Sequence, residues 1–379
     1  MRGAAGRAAH RGGGVVSTTR EVVRLLSEMI AFPTQQAGPE RGPGDERALC
    51  EYLAPLLAAR GADEVIVGAA PRTDGSPGAY VFARWGTPRR VINAHVDTVP
   101  ANAGWARDPW QPHLDGGRLY GLGSSDTKGA IAATLIALEG ARPQDLGVLF
   151  SGDEEAGSRV MEAFLTTPHA RAIEEVIVCE PTARAAGTSH RGILGQVARL
   201  RGPGGHSSKA DHLPKPLAQL ARLAVALDDA GKRRLLDGPT GMTGTCLNIA
   251  GLDGGVAFNV IPARGELQWS IRPYPGFDEA GWNAEVAALA HAIDPAIELA
   301  TTIVHRPFGC DALADLVRPF AERIGPLDFW TEAAMWETHG AKAIVIGPGD
   351  ICQAHAADEF VALADLDWAI ELFRAVIAR

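Results

Sequence analysis

Histidine and carboxylate side chains stand just after several short apolar segments of this sequence. Five of them are of metal-ligand type: His95, Asp126, Glu155, Glu180 and His355. Two imidazoles and three carboxylates suit zinc or another first-row divalent ion, and the absence of cysteine from the set is typical of a catalytic site. Five ligands are too many for one tetrahedral ion with an open position. They suit two ions about 3.5–4 Å apart that share one carboxylate.

Acidic residues beside these candidates could move protons. Glu154 and Glu155 are adjacent and point in different directions, so one can bind metal while the other accepts a proton from an attacking water. Asp97 lies two residues after His95 on the same strand face, where its carboxylate could orient the imidazole. Such a set suits amide hydrolysis. Each motif alone also fits a structural polar pair, a solvated turn or a helix start, and only their joint occurrence favours a metal site.

The elements that must position these residues alternate between strands and helices. Apolar strand patterns at 91–96, 146–151 and 175–179 each lead into a histidine or carboxylates, and a helix pattern follows Asp126. In an α/β fold, ligands bind beyond the carboxyl ends of such strands. We therefore expect an α/β domain with its site at one edge of the sheet.

A second region with a different pattern begins near residue 188. Half-buried strands are indicated at 194–201, 245–250 and 264–272, with a helix that begins at Pro216. This pattern predicts a separate small α+β unit that ends near residue 299. Buried-strand character then resumes at 342–346, before a last amphipathic helix.

The N-terminal segment has no core-forming pattern. Residues 1–16 are rich in Gly, Ala and Arg and lack the apolar segment of a signal peptide, so we expect a disordered tail. A capping box at Thr18–Glu21 predicts that the first helix begins there.

Composition excludes several classes of partner and site. The net charge is −9 and no basic stripe is present, which argues against a nucleic-acid partner. The apolar runs are too short to span a bilayer, so no membrane partner is expected. The five cysteines are odd in number and contain no CxxC, which excludes a disulfide framework and a structural zinc knuckle. This usage fits a reducing cytoplasm.

Taken together, these motifs resemble the M20 family of zinc-dependent peptidases and deacylases. The matching segments are HVD at 95–97, GSSDTKG at 123–129, DEE at 153–155, EPT at 180–182, GHS at 205–207, IRP at 271–273 and QAH at 353–355. They extend over essentially the whole chain apart from the N-terminal tail. The resemblance implies a zinc-exopeptidase-like α/β catalytic domain, with a mixed central sheet flanked by helices, and an inserted small α+β domain.

The same resemblance implies roles for the site residues. Two zinc ions per subunit are expected, with cobalt able to substitute. One ion would be held by His95, Asp126 and Glu180. The other would be held by Asp126, Glu155 and His355. Glu154 becomes the general base and Asp97 the partner of His95, and the peptide bond between Asp126 and Thr127 is expected to be cis.

The resemblance also implies two domains with different roles. Residues 17–187 and 300–379 would form the catalytic domain, and residues 188–299 a lid domain that makes a homodimer. His206 matches a histidine that polarises the scissile carbonyl, often across the dimer. Arg272 and Asn259 match positions that hold the carboxylate of the substrate, where a guanidinium can form a bidentate pair.

Two segments indicate which subfamily of the M20 family the sequence resembles. The sequence TEA at 331–333 stands where many members carry a Thr-Ser-Asp-Ala-Arg-like segment, and GPGDICQAHAADEF at 347–360 is also distinctive. Both are similar to acetylornithine deacetylases and to relatives that hydrolyse N-acetylcitrulline. The expected reaction is therefore deacetylation of N2-acetyl-L-ornithine in arginine biosynthesis, with N-acetyl-L-citrulline as the alternative. Desuccinylase or dipeptidase activity, and a non-catalytic metal-binding role, remain open.

Overall fold

The chain forms two compact units. The computed structural model describes residues 12–38 and 42–379, with side chains in the first helix described from Thr18 onward. The larger unit comprises the described residues up to Thr188 together with Cys310–Gly325 and Thr331–Arg379. The smaller unit comprises Ser189–Gly309 and Pro326–Trp330.

Both units combine helices and strands. The helices are α1 Gly12–Ile30, α2 Glu46–Ala59, α3 Lys128–Ala137, α4 Arg159–Leu165, α5 Pro216–Lys232, α6 Glu279–Ile293, α7 Ala314–Val317, α8 Ala333–His339 and α9 Leu363–Ile377. The strands are β1 Glu64–Pro71, β2 Pro77–Trp85, β3 Arg90–His95, β4 His113–Asp115, β5 Arg118–Tyr120, β6 Leu146–Ser151, β7 Glu175–Val178, β8 Ala185–His190, β9 Ile193–Arg201, β10 Gly205–His206, β11 Asn248–Asp253, β12 Val260–Ile261, β13 Arg264–Ile271, β14 Glu298–His305, β15 Phe308–Gly309, β16 Arg323–Leu327, β17 Lys342–Val345 and β18 Phe360–Ala362.

A mixed sheet forms the centre of the larger unit. Its strands follow the order β1-β2-β6-β3-β7-β17-β8, in which β6, β3, β7 and β17 run parallel and the outer pairings are antiparallel. The parallel strands are buried along their length because helices cover the sheet, which explains their continuous apolar runs. Residues of α1, α2, α3 and α9 share one apolar core with the sheet. The predicted α/β class with a mixed central sheet is confirmed.

The smaller unit contains a four-stranded antiparallel sheet with the order β11-β13-β9-β14. Helices α5 and α6 pack on it through an apolar core that includes Leu220, Leu227 and Trp282. Gln196 lies within this core and accepts hydrogen bonds from the indole N–H groups of Trp269 and Trp282 at 3.2 and 3.0 Å. Burial of this amide is tolerated because its polar atoms have partners.

The smaller unit extends further along the chain than the predicted boundary at residue 299. Strand β14 pairs with β9 and so belongs to this sheet, and the unit also takes in residues 326–330. The sequence pattern does not reveal this strand, since almost every residue of β14 is exposed and no alternation marks it. Helix α6 was not predicted either.

The first helix begins earlier than the sequence predicts. Helix α1 begins at Gly12, so the start predicted from the capping box at Thr18–Glu21 is wrong. The Thr19 hydroxyl donates to the Asp367 carboxylate at 3.1 Å, a contact that joins α1 to α9. Residues 12–16 of the predicted tail therefore belong to α1, and residues 1–11 lie outside the described part of the chain.

Across residues 12–38 and 42–379, no helix combines the length and the apolar composition that crossing a membrane requires.

Candidate metal centre

Three neighbouring strands deliver polar residues to one edge of the larger sheet. Strands β6, β3 and β7 run parallel, so their carboxyl ends meet at the same edge. His95 ends β3 and is paired with Ser151, which ends β6. Glu154 and Glu155 follow β6, and Glu180 follows β7. The sequence prediction of a site at this edge rested on the same strand ends.

Two further candidates, Asp126 and His355, come from loops. Asp126 precedes α3, and its peptide bond to Thr127 is cis, as the family resemblance implies. The Thr127 hydroxyl donates to the carbonyl of His95 at 2.9 Å and accepts from its N–H at 3.0 Å, which attaches this loop to β3. His355 lies in the loop between β17 and β18 with a φ of 60°.

The five predicted ligands lie in two groups whose ligand atoms are within 4.8 Å of one another: His95, Asp126 and Glu180 in one, and Asp126, Glu155 and His355 in the other. Asp126 belongs to both groups. Its Oδ1 lies 3.0 Å from Nε2 of His95, and its Oδ2 lies 3.5 Å from Nε2 of His355. That imidazole nitrogen also lies 2.9 Å from Oε2 of Glu155. The donor atoms are all nitrogen and oxygen, which fits borderline divalent ions such as zinc.

The electrostatics of this centre favour cations. Burial raises the pKa of Glu154, Glu155 and Glu180, and repulsion from neighbouring carboxylates raises it further. Burial also acts to raise the pKa of Asp126, but hydrogen bonds with the two histidines outweigh it and the pKa falls below its usual range. Hydrogen bonds to Asp126 and Glu155 raise the pKa of His355 to about 10. Closely packed acids in a poorly solvated place are stabilised by bound divalent cations.

The three remaining predicted residues lie in the smaller unit. His206 is exposed in β10, and its Nδ1 lies 2.8 Å from the hydroxyl oxygen of Ser208. Asn259 directly precedes β12, which pairs with β10, so the structure brings it close to His206. Arg272 follows β13 with an exposed side chain, and its carbonyl accepts from the guanidinium of Arg191 at 2.9 Å.

A family model described as Peptidase family M20/M25/M40 matches residues 91–379. The chain belongs to this family. The match begins at strand β3 and includes all five candidate ligands and the three residues of the smaller unit.

Individual relatives agree with this assignment. The N-acetyl-L-citrulline deacetylase of Xanthomonas campestris pv. campestris is 35% identical over 365 residues, which cover 93% of the chain and 96% of that protein. The acetylornithine deacetylase of Proteus mirabilis is 28% identical over 373 residues, covering 94% and 95%. Among solved structures, the M20 family metallo-carboxypeptidase Sso-CP2 from Sulfolobus solfataricus has a TM-score of 0.73 at 17% identity, covering 94% and 98%. The chain is an M20 amidohydrolase.

The Asp97 carboxylate of this M20 enzyme holds the turn that carries the two adjacent glutamates. It accepts hydrogen bonds from the backbone N–H groups of Glu154 and Glu155, both at 3.1 Å. The Gln36 side chain donates to the same carboxylate at 2.6 Å. The His95 ring nitrogen Nδ1 lies 3.0 Å from the Asp97 carbonyl oxygen but 3.6 Å from its carboxylate. Asp97 thus contacts the imidazole mainly through its main chain.

A second buried carboxylate, Glu46, supports the same turn. It accepts from the N–H groups of Asp153 at 3.2 Å and Ala79 at 3.0 Å, and it pairs with Arg72 at 2.7 Å. Both side chains of the ion pair are fully buried. A Cβ atom on Gly152 would lie 2.0 Å from the Glu46 carboxylate, so this position requires glycine. Sequence reasoning missed the pair, because no motif or spacing distinguishes a buried ion pair from two surface charges.

Glu332 completes a buried polar network near the base candidate. The Ser151 hydroxyl donates to the Glu332 carboxylate at 2.7 Å, and the Asn93 amide donates to Ser151 at 3.2 Å. The indole of Trp336 in turn donates to Asn93 at 2.7 Å. Burial raises the pKa of Glu332 to about 7, and its charge contributes to the raised pKa of Glu154. The sequence marked this glutamate only as a subfamily feature, since its contact with Ser151 joins positions far apart in the chain.

Proposed function

We propose that this M20 amidohydrolase removes the acetyl group from N2-acetyl-L-ornithine, releasing L-ornithine and acetate. The observation that carries the proposal is the pair of ligand groups that share Asp126, with Glu154 on the turn beside them. N-acetyl-L-citrulline is the second candidate, because the relative that is 35% identical bears the name of that deacetylase. We further propose a place in arginine biosynthesis and a cytoplasmic location.

Two zinc ions are the proposed cofactors, with cobalt able to replace them. His95, Asp126 and Glu180 would hold one ion; Asp126, Glu155 and His355 would hold the other. The proposal is supported by the nitrogen and oxygen donors and by the two separate oxygens that Asp126 directs at the two histidines. Such ions polarise an amide carbonyl and acidify an attacking water.

Glu154 is the proposed general base. Its carboxylate would accept a proton from the water as the water oxygen bonds to the acetyl carbon. It would then return that proton to the nitrogen when the C–N bond breaks. In the metal-free protein, burial and the charge of Glu180 raise the pKa of Glu154 above the usual range of a glutamate. The hydrogen bond from its N–H to Asp97 holds its backbone in place.

The smaller unit is proposed to act as a lid that also forms a homodimer. In this proposal His206 stabilises the negative charge that develops on the carbonyl oxygen. Arg272 and Asn259 are proposed to bind the α-carboxylate of the substrate. The side chain of Arg272 is exposed, and its backbone carbonyl accepts a hydrogen bond from the guanidinium of Arg191. This arrangement supports that assignment.

A substrate panel with the purified protein tests the proposed function. Release of acetate is measured with N-acetyl-L-ornithine and N-acetyl-L-citrulline, release of succinate with an N-succinyl amino acid, and release of free amino acids with a dipeptide, each in the presence of zinc or cobalt. We expect the largest kcat/KM for N-acetyl-L-ornithine. A larger value for N-acetyl-L-citrulline would select the second candidate, and no acetate release from either would refute the deacetylase proposal.

A substitution at the base gives the matching mechanistic test. Glu154→Gln is expected to lower kcat by about 10²–10⁴-fold, the usual contribution of a general base. Glu174→Gln is the matched control, since Glu174 is exposed beside the amino end of β7, at the opposite end of the strand from Glu180. Near-normal turnover by Glu154→Gln at full metal content would exclude Glu154 as the base.

A further inference from the structure

An acidic side chain close to His355 in sequence is buried without belonging to either ligand group. Glu359 is 1% exposed and directly precedes β18. Its carboxylate accepts three backbone hydrogen bonds, from the N–H groups of Gly123 at 2.7 Å, Ser125 at 2.8 Å and Asp126 at 3.0 Å. Both carboxylate oxygens are used, one for Gly123 and the other for the remaining two.

The main chain around Glu359 is attached to the same loop. Its carbonyl accepts from the N–H of Gly121 at 2.9 Å, and β18 continues from there as the antiparallel partner of β5, with Phe360 opposite Tyr120. Gly123 adopts a φ of 80°, a conformation that few residues other than glycine adopt. The loop that ends at Asp126 is therefore wrapped around one carboxylate.

This arrangement connects the two ligands that the second group takes from loops. The backbone N–H of Asp126 donates to the Glu359 carboxylate, and His355 lies four residues before Glu359 in the chain. A negatively charged acceptor makes stronger hydrogen bonds to N–H groups than a neutral one does. Displacing Glu359 would release the Asp126 backbone and the His355 loop from each other.

We propose that Glu359 is a positioning residue that sets the metal affinity of the centre. It does so by holding the backbone of Asp126 in a fixed position relative to His355. The proposal rests on the proposed metal-dependent function of the centre. Glu359→Gln is the test variant, because glutamine keeps the shape but has only one acceptor oxygen and would present an NH₂ donor to a backbone N–H donor.

Metal affinity of the metal-free protein is the readout. Zinc or cobalt is titrated in competition with a chelator, and the number of ions bound and their dissociation constants are compared between wild type and variant. We expect two ions in the wild type and an affinity at least tenfold weaker for one or both in Glu359→Gln. Glu359→Asp keeps both oxygens at a shorter reach and is expected to lose less, which keeps the test available if the glutamine variant fails to fold.

A destabilised control separates positioning from a general loss of stability. Val376→Ala truncates a buried side chain of α9, and its metal affinity should remain that of the wild type even where its Tm falls as far. The proposal is overturned if Glu359→Gln binds both ions as tightly as the wild type, or if Val376→Ala weakens binding equally. A wild type that binds no ion would instead overturn the proposed function together with this inference.

Discussion

Replacing Asp97 by asparagine tests how the proposed base is held. The carboxylate accepts one hydrogen bond from each N–H of Glu154 and Glu155 at 3.1 Å, whereas a carboxamide has a single oxygen and turns an NH₂ group towards the other N–H. One hydrogen bond to a charged acceptor is lost and its donor stays buried, which costs ~1.5–3 kcal/mol. If this energy serves to align the base in the transition state, kcat falls by about 10- to 150-fold.

The assay measures kcat and KM with N-acetyl-L-ornithine at saturating zinc, with the metal content of each preparation determined in parallel. Asp97→Asn is made in the wild type and in the Glu154→Gln background. Asp115→Asn, at an exposed position of β4, is the matched control. Because Asp97 is expected to act through Glu154, its substitution should cost much less kcat when the base is already absent.

Two results would refute this reasoning. One is an Asp97→Asn enzyme whose kcat stays within about twofold of the wild type at full metal content, which would show that the turn needs no second acceptor oxygen. The other is an equal loss of kcat in both backgrounds, which would mean that Asp97 acts independently of Glu154.

Three further predictions concern stability. Arg72→Met leaves the Glu46 carboxylate buried without its cation and should lower the free energy of unfolding by about 3–5 kcal/mol at pH 9 in urea titrations. Since burial raises the pKa of Glu46, the deficit should shrink towards pH 6, where the folded state holds this group protonated, and a deficit independent of pH would contradict the ion pair. In the metal-free protein, the pKa of Glu332 is raised by burial from 4.5 to about 7, so the unfolded state ionises first and stability falls as pH rises through this window. In Glu332→Gln the decrease in the free energy of unfolding across this pH window should be smaller by roughly 3 kcal/mol. An unchanged pH profile would show that the group titrates normally. Zinc at about 100 times its Kd should stabilise the metal-free wild type by ~2.7 kcal/mol, and an Asp126→Ala variant that keeps the same thermal shift would remove Asp126 from the ligand set.

Much of the fold was predictable because its signals are local. Buried parallel strands are continuous apolar runs, so β3, β6 and β7 could be located closely from the sequence. The same runs end at the candidate ligands, and the carboxyl ends of parallel neighbours meet at one edge. Strand β14 was not predictable in this way, since it is exposed at an edge of its sheet and carries no alternation.

The types of residue at the centre and their order along the chain are properties of the sequence. Imidazole and carboxylate groups at the ends of apolar strands, together with the family motifs, predict the five candidate ligands, Glu154 as the base and Asp97 beside it. These predictions depend on chemistry and on short spacings, which a linear sequence records directly.

Only the tertiary structure reveals what holds those groups in place. The Asp97 carboxylate bonds to the glutamate turn, Glu46 pairs with Arg72, and Glu359 accepts three hydrogen bonds from the loop of Asp126. Each of these contacts joins residues tens to hundreds of positions apart, so no local pattern indicates them. Their physical basis is burial: a carboxylate removed from water must find N–H donors or a cation, and the folded backbone determines which ones lie within reach.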